Sequence, residues 1–211
     1  MSILVTINIS MIIEDSSPYY VKYTHENIDA IVSICRTELE KAPSLFRKLL
    51  EEKTIGFSNY TLSNKIGRQI LSLIPFSNKI QFKENRVSLF ISGPGYKHYV
   101  HIDGALTSIN YGIDISDNLC VTNWYDSNDI VSNFNITSDS YNRAIVSKEE
   151  FEKNQQLPKY KFTHKQDEAI LFNTSIHHNF DNSRSNSNRI ILTLRPVNDQ
   201  ILFEDVKKIL F

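Results

Sequence analysis

The sequence predicts a mainly β protein with N-terminal helices, an antiparallel sandwich or jelly roll whose major sheet carries those helices on one face. Two patterns predict it. Apolar residues recur at helical spacing between residues 24 and 74, and from about residue 80 they fall in short alternating runs rich in Ile, Val, Tyr and Phe. Gly, Asn, Asp and Ser separate those runs, and helices with one apolar stripe each need a sheet to lie on.

In order, Met1 to Ile13 is apolar but interrupted by polar residues and lacks a basic leader, so it reads as a strand rather than a signal peptide. A turn at Ser16-Ser17-Pro18 allows Tyr19 to Tyr23 to pair back. Thr24 suits an N-cap, and Ile28, Ile31, Val32, Cys35 and Leu39 then share one helix face that ends near Pro43. Ser44 to Lys53 and Leu62 to Ile74 give two more amphipathic helices. The runs Arg86 to Ser92, Tyr96 to Asp103, Leu106 to Ile115 and Leu119 to Tyr125 read as strands. In the third run Ile109, Tyr111, Ile113 and Ile115 share one face, while Ser108, Asn110, Gly112 and Asp114 share the other.

Residues 126–158 are rich in Asn, Ser and Asp, with a strand at Tyr141 to Ser147 and a helical turn at Lys148 to Lys153; a segment of this kind reads as an insertion or lid. Strands resume at Lys159 to Thr163, Glu168 to Asn173, Ile176 to Phe180 and Arg189 to Val197, and Phe203 to Leu210 closes the chain as a helical turn. The whole reads as one domain: residues 1–79 form the first strands and buttressing helices, 80–197 the β core, and 198–211 the final turn.

With 23 Lys and Arg against 24 Asp and Glu among 211 residues, there is no basic footprint for nucleic acid or an anionic membrane. No apolar run is long enough to span a bilayer. Cys35 and Cys120 sit in apolar surroundings without a CxxC pair, as reduced thiols of a cytoplasmic protein would.

The chemistry concentrates in two stretches. If His101-Ile102-Asp103 is extended, its imidazole and carboxylate point to one face. A third ligand would come from the pair His177-His178. Two histidines and a carboxylate on one face of a metal are diagnostic of non-heme Fe(II) oxygenases. The competing reading is an incidental surface salt bridge at a strand end.

Taken together, Gly93-Pro94-Gly95, His101-Ile102-Asp103, the stretch from Leu171 to Asn182 and Arg189-Ile190-Ile191-Leu192 make the chain resemble the Fe(II)- and 2-oxoglutarate-dependent dioxygenases of the double-stranded β-helix fold. Bacterial and phage-type members and aspartyl/asparaginyl hydroxylase-like proteins are the most similar. The resemblance spans Arg86 to Pro196. It implies that His101, Asp103 and His178 hold the iron, because His178-Asn179-Phe180-Asp181-Asn182 reproduces the family's His-x-apolar-x-Asn spacing; His177 is the alternative. It implies that Arg189 anchors the distal carboxylate of 2-oxoglutarate, with Arg195 as the alternative. The family's frequent Arg-x-Ser is absent, so a second anchor must come from elsewhere. Strand parity points to Tyr99, on the face of His101 and Asp103, and to Ser108 and Asn110; ordinary cross-strand hydrogen bonds are the alternative for each. His98 has the opposite parity and should face away, His25 and His164 should lie at the surface, and Trp124 and Tyr125 belong to the core.

The activity implied is hydroxylation of an unactivated C–H bond with O2, as 2-oxoglutarate is converted to succinate and CO2. Halogenating relatives lack the carboxylate ligand, so Asp103 argues for hydroxylation or desaturation. A small polar or amino-acid-like molecule is the expected substrate, a peptide or protein side chain the alternative. Two other classes compete: a cupin-type metal protein, disfavoured by the lack of His-x-His, and a non-catalytic β-rich binding module.

Overall fold

The computed structural model describes residues 11–138, 143–154 and 156–211. Two antiparallel sheets face each other. The larger holds β1 (Met11–Ser16), β2 (Tyr20–His25), β3 (Phe57–Thr61), β4 (Ser88–Ser92), β6 (Thr107–Ile115), β11 (Ala169–Asn173) and β13 (Arg189–Leu194), in the order β1-β2-β11-β6-β13-β4-β3. The smaller holds β5 (His101–Ile102), β7 (Val121–Trp124), β8 (Ile136–Ser138), β9 (Ala144–Val146), β10 (Tyr160–Thr163) and β12 (His178–Asp181), in the order β10-β7-β12-β5-β9-β8. The central neighbours in both sheets, such as β11 between β2 and β6 and β12 between β7 and β5, are far apart in sequence, as two interleaved sheets of a jelly roll require.

The helices α1 (Ile28–Leu39), α2 (Ser44–Glu52), α3 (Asn64–Ser72) and α6 (Phe203–Leu210) cover the outer face of the larger sheet. The alternation in β6 divides the protein. Ile109, Tyr111 and Ile113 enter a core with Ile31, Val32 and Cys35 of α1, Phe46 of α2, Ile70 of α3 and Phe203 of α6. Each such side chain contributes about 1.5–3 kcal/mol by leaving water. The opposite face, with Ser108 and Asn110, looks toward the smaller sheet. No helix among the described residues is long and apolar enough to cross a membrane.

Several boundaries differ from the sequence reading, each for a physical reason. The first strand is described from Met11 onward; residues 1–10 lie outside the described residues. Helix α1 starts at Ile28, because Thr24 and His25 stay in the sheet opposite Ile12 and Met11, leaving Asn27 at the N-cap. The strand expected from Tyr96 to Asp103 shrinks to His101–Ile102. Gly93 to Val100 instead run irregularly beside β12, with Gly95 N–H donating to Asn182 and His98 N–H to Phe180 carbonyls at 3.0 Å each. Two strands, β3 and β8, and helix α4 (Ser127–Asn133) had no clear signal, their sequences being largely polar.

Among the described residues of 126–158, two helices and two strands form. Helix α4, strands β8 and β9 and helix α5 (Lys148–Asn154) enclose a small core of Ile130, Phe134, Val146 and Phe151, closed by Val100 and Tyr125. Of the strand expected at Tyr141 to Ser147, residues 144–146 form β9, and 141–142 lie outside the described residues. Strand β9 pairs with β5, setting Ile145 opposite His101. Trp124 is fully buried, its indole N–H donating to the Asn173 carbonyl at 3.1 Å, and Tyr125 is buried as well.

The turn that leads into β5 depends on glycine. Gly95 has φ of +75°, and a Cβ on Gly93 would stand 1.8 Å from the Thr54 carbonyl oxygen. Because that atom is backbone, Gly93→Ala must displace the turn, and we expect a loss of roughly 1–3 kcal/mol of stability in denaturant titration. A variant as stable as the parent would show that this approach is relaxed at little cost.

Candidate metal centre

Strand pairing builds the centre. His178 opens β12 directly opposite His101 of β5, and Asp103 lies just past the end of β5. Their potential ligand atoms all fall within 4.8 Å of one another. Both imidazoles are buried. Nδ1 of His101 lies 3.1 Å from the Tyr99 carbonyl and Nδ1 of His178 lies 2.8 Å from that of Ile176. A carbonyl only accepts, so each Nδ1 donates to it, and each Nε2 is turned toward the shared point, where a metal would meet its lone pair. Burial pushes the His178 pKa down to about 4, with the His101 ring adding to the effect, so its neutral form is held.

Asp103 completes the set, with Oδ1 3.4 Å from His101 Nε2 and Oδ2 3.5 Å from Arg195 Nη2. Burial alone would raise its pKa. The hydrogen bond and charge of His101, with Arg195 and His178, outweigh this and hold the carboxyl well below the usual range. Two imidazole Nε2 atoms and one ionised carboxylate oxygen, pre-oriented around one point, fit a divalent transition metal, which would take the place of the proton between His101 and Asp103.

The structure places His178 on the cavity side. His177 points the other way, its Nδ1 3.0 Å from Ser127 Oγ, as alternation along a strand demands. The cavity in front of the three ligands measures about 120 Å³. Strand β13 lays Arg189, Ile191 and Thr193 along it, with Arg195 just beyond, and β6 adds Ser108 and Asn110. Asn110 Oδ1 accepts from Thr193 Oγ1 at 2.8 Å.

Arg189 is 3% exposed. Its Nη2 lies 3.4 Å from His164 Nε2, its guanidinium sits 5.0 Å from the Phe180 ring centre, and its Nε has no partner. Among the described residues no carboxylate pairs with it. Burial lowers its pKa, opposed by Cys120, yet a guanidinium stays charged in such a site. A buried cation without a counter-ion is costly, and this one faces a cavity that an anion can enter.

Three placements correct the sequence reading. Tyr99 does not line the cavity, and His98 does. Parity failed because residues 96–100 do not form a regular strand. The His98 ring stacks on Phe180 at 4.7 Å and stands 4.9 Å from His101, and burial followed by the neighbouring His101 pushes its pKa down to about 2. His25 and His164 are buried rather than superficial: His25 Nε2 meets Tyr111 Oη at 3.0 Å, and His164 Nε2 meets Thr122 Oγ1 at 2.7 Å. Sequence reasoning also missed Arg143 and the rings of Phe57, Phe90, Phe172 and Phe180, which line the cavity from four separate segments. Asn182 is structural, its Nδ2 lying 2.9 Å from the carbonyls of both Gly93 and Ser187.

Fold and site together define a jelly roll that presents a His/Asp/His facial set beside a buried arginine. Among solved structures, the chain is similar to SnoK, a non-heme alpha-ketoglutarate-dependent carbocyclase from nogalamycin biosynthesis, at TM-score 0.51 and 10% identity over 84% of this chain and 78% of that one. It also aligns with HygX from Streptomyces hygroscopicus, solved with nickel, 2-oxoglutarate and hygromycin B, at TM-score 0.49 and 11% identity over 80% and 79% of the two chains. Escherichia coli ycfD aligns at TM-score 0.41 and 8% identity over 67% of this chain, which spans only 34% of the ycfD chain. At these identities the likeness to SnoK bears on the fold alone. No protein-family model and no curated protein matches the chain.

Two outcomes test this geometry. Mn(II) or Ni(II) should raise the melting temperature of the protein, His178→Ala should abolish the rise, and His177→Ala should keep it. The pH dependence has a definite sign. Burial lowers the pKa of His25 to about 4, as for His178, and that of His164 well below 6.5, while the unfolded chain protonates its histidines near 6.5. Metal-free stability should therefore be level above about pH 6.5 and fall on acidification toward about pH 4. Melting temperatures that stay constant across that window would contradict the buried neutral histidines.

Proposed function

We propose that the protein is an Fe(II)- and 2-oxoglutarate-dependent oxygenase of the double-stranded β-helix type, which uses O2 to hydroxylate an unactivated C–H bond of a small polar or amino-acid-like molecule, releasing succinate and CO2. One observation carries the reading: a facial set of two imidazoles and one carboxylate opens on a cavity that also holds the buried, carboxylate-free Arg189. In this reading His101, Asp103 and His178 hold the iron. When bound, the metal supplies the redox chemistry that couples O2 and the co-substrate to oxidation of the substrate.

The chain's own residues supply position and dryness. Arg189 offers its fork of N–H donors to the distal carboxylate of 2-oxoglutarate, and Ser108 and Asn110 present polar groups from the adjacent wall. The carbonyls of Tyr99 and Ile176 fix the imidazole orientations, so that neither ring need turn when metal enters. Phe57, Phe90, Phe172 and Phe180 keep water from the reacting groups and strengthen the charge contacts inside. The Asp103 carboxylate favours hydroxylation over halogenation. Two buried free cysteines and a near-neutral chain suit a cytoplasmic enzyme of small molecules, with no nucleic-acid or membrane partner.

With Fe(II) and ascorbate, the protein should convert 2-oxoglutarate to succinate, slowly even without its prime substrate, and His101→Ala and Asp103→Ala should fall to background. Arg189→Gln should keep metal binding but weaken 2-oxoglutarate by about 2 kcal/mol or more, roughly 30-fold. No iron-dependent succinate, with candidate substrates present, would overturn the reading.

A further inference from the structure

The charges around the cavity are unequal, and the excess lies at one end. Among the described lining residues Asp103 is the single acid. Arg143 also lines the cavity, its guanidinium held over the Tyr99 ring. The other two lining arginines are Arg189 and Arg195. Arg189 opens β13 and Arg195 follows its last residue, six residues on and roughly 20 Å of extended backbone away, so they mark different ends of the cavity. Those two guanidiniums and a divalent ion, set against the Asp103 carboxylate and the 2-oxoglutarate dianion, leave one positive charge unmatched.

That charge belongs at Arg195. Its sole carboxylate contact among the described residues is the 3.5 Å approach of Nη2 to Asp103 Oδ2, longer than the roughly 2.7–2.9 Å of a strong charge-assisted bond. Asp103 must also serve the metal, which competes for the same negative charge. The Arg195 side chain is 27% exposed, so its remaining donors can be reached from solvent while standing beside the ligand set. Arg189, by contrast, is sealed in.

We propose that the prime substrate carries a carboxylate and that Arg195 binds it, holding the reacting C–H bond near the metal. This rests on the oxygenase reading, in which Arg189 is taken up by the co-substrate. A guanidinium presents a planar fork to a planar carboxylate, so charge and orientation are fixed by one contact. A neutral substrate of the same shape leaves that cation uncompensated and is rejected.

The test uses the full chain loaded with Mn(II) and saturating 2-oxoglutarate, with butyrate and its neutral analogue butyramide as probes. Proton line broadening by Mn(II) reports binding close to the metal. Butyrate should be broadened and butyramide not, Arg195→Gln should weaken butyrate roughly tenfold, and Arg195→Lys should recover part of the loss. Equal broadening of the two probes, or an unchanged response in Arg195→Gln, overturns the assignment. So does loss of Mn(II) binding in Arg195→Gln, which would make Arg195 a support for Asp103, or loss of 2-oxoglutarate binding, which would make it the co-substrate anchor. If the unaltered protein shows no thermal shift with Mn(II) and 2-oxoglutarate, the oxygenase reading itself fails and this inference with it.

Discussion

His178 faces His101 across the antiparallel β12–β5 pair, and the rest of the site depends on that register. Side chains alternate along a strand, so a slip of one residue on β12 would turn His178 away and bring in His177, whose ring is anchored to Ser127. The register is held from both directions. Trp124 pairs with His178 on the β7 side and is itself fully buried, while Asn182 ties the end of β12 to the Gly93 turn that delivers β5. The two halves of the ligand set, more than seventy residues apart in sequence, are thus joined by one clamp at each end.

Electrostatics then sort the polar groups around that frame. Burial favours the neutral imidazole of His178, and carbonyl acceptors on both Nδ1 atoms turn the two Nε2 atoms toward the shared point. The carboxylate is the exception, kept ionised by cationic and hydrogen-bonding neighbours although burial opposes it. Arg189 bears a desolvation cost that no carboxylate among the described residues offsets, and an anion in the cavity would relieve it.

Much of this was legible in the sequence, and what was not had a cause. The stripe Ile28, Ile31, Val32 and Cys35 and the alternation through β6 were visible because a single burial period governs each of them. Those two patterns imply helices on one side of a sheet and polar groups on the other. His101 and Asp103 were visible through strand parity, and His178, with His177 as the alternative, through the His-x-apolar-x-Asn spacing of the family the chain resembles. Parity misled at Tyr99 and His98, where Gly93-Pro94-Gly95 leaves the chain paired irregularly with β12 and a period of two no longer applies. His164 and His25 were misplaced because a histidine in a polar stretch carries no local mark of burial; each is buried by strands distant in sequence. Strands β3 and β8 and helix α4 were hidden for the same reason, since their packing partners are supplied by the tertiary fold.

The pairing of β9 with β5 has a consequence for how such a protein can change. Strand β5 is two residues long and is held on one flank by β12 and on the other by β9 of the 126–158 segment. An ancestor or engineered variant lacking that segment would not merely have a wider mouth. It would carry His101 on an edge strand with open backbone donors and acceptors, the position in a sheet where local fraying and intermolecular pairing begin. Change in this segment is therefore constrained at Ala144–Val146, where it forms part of the ladder that carries His101, and at Ser127 of α4, which holds the ring of His177.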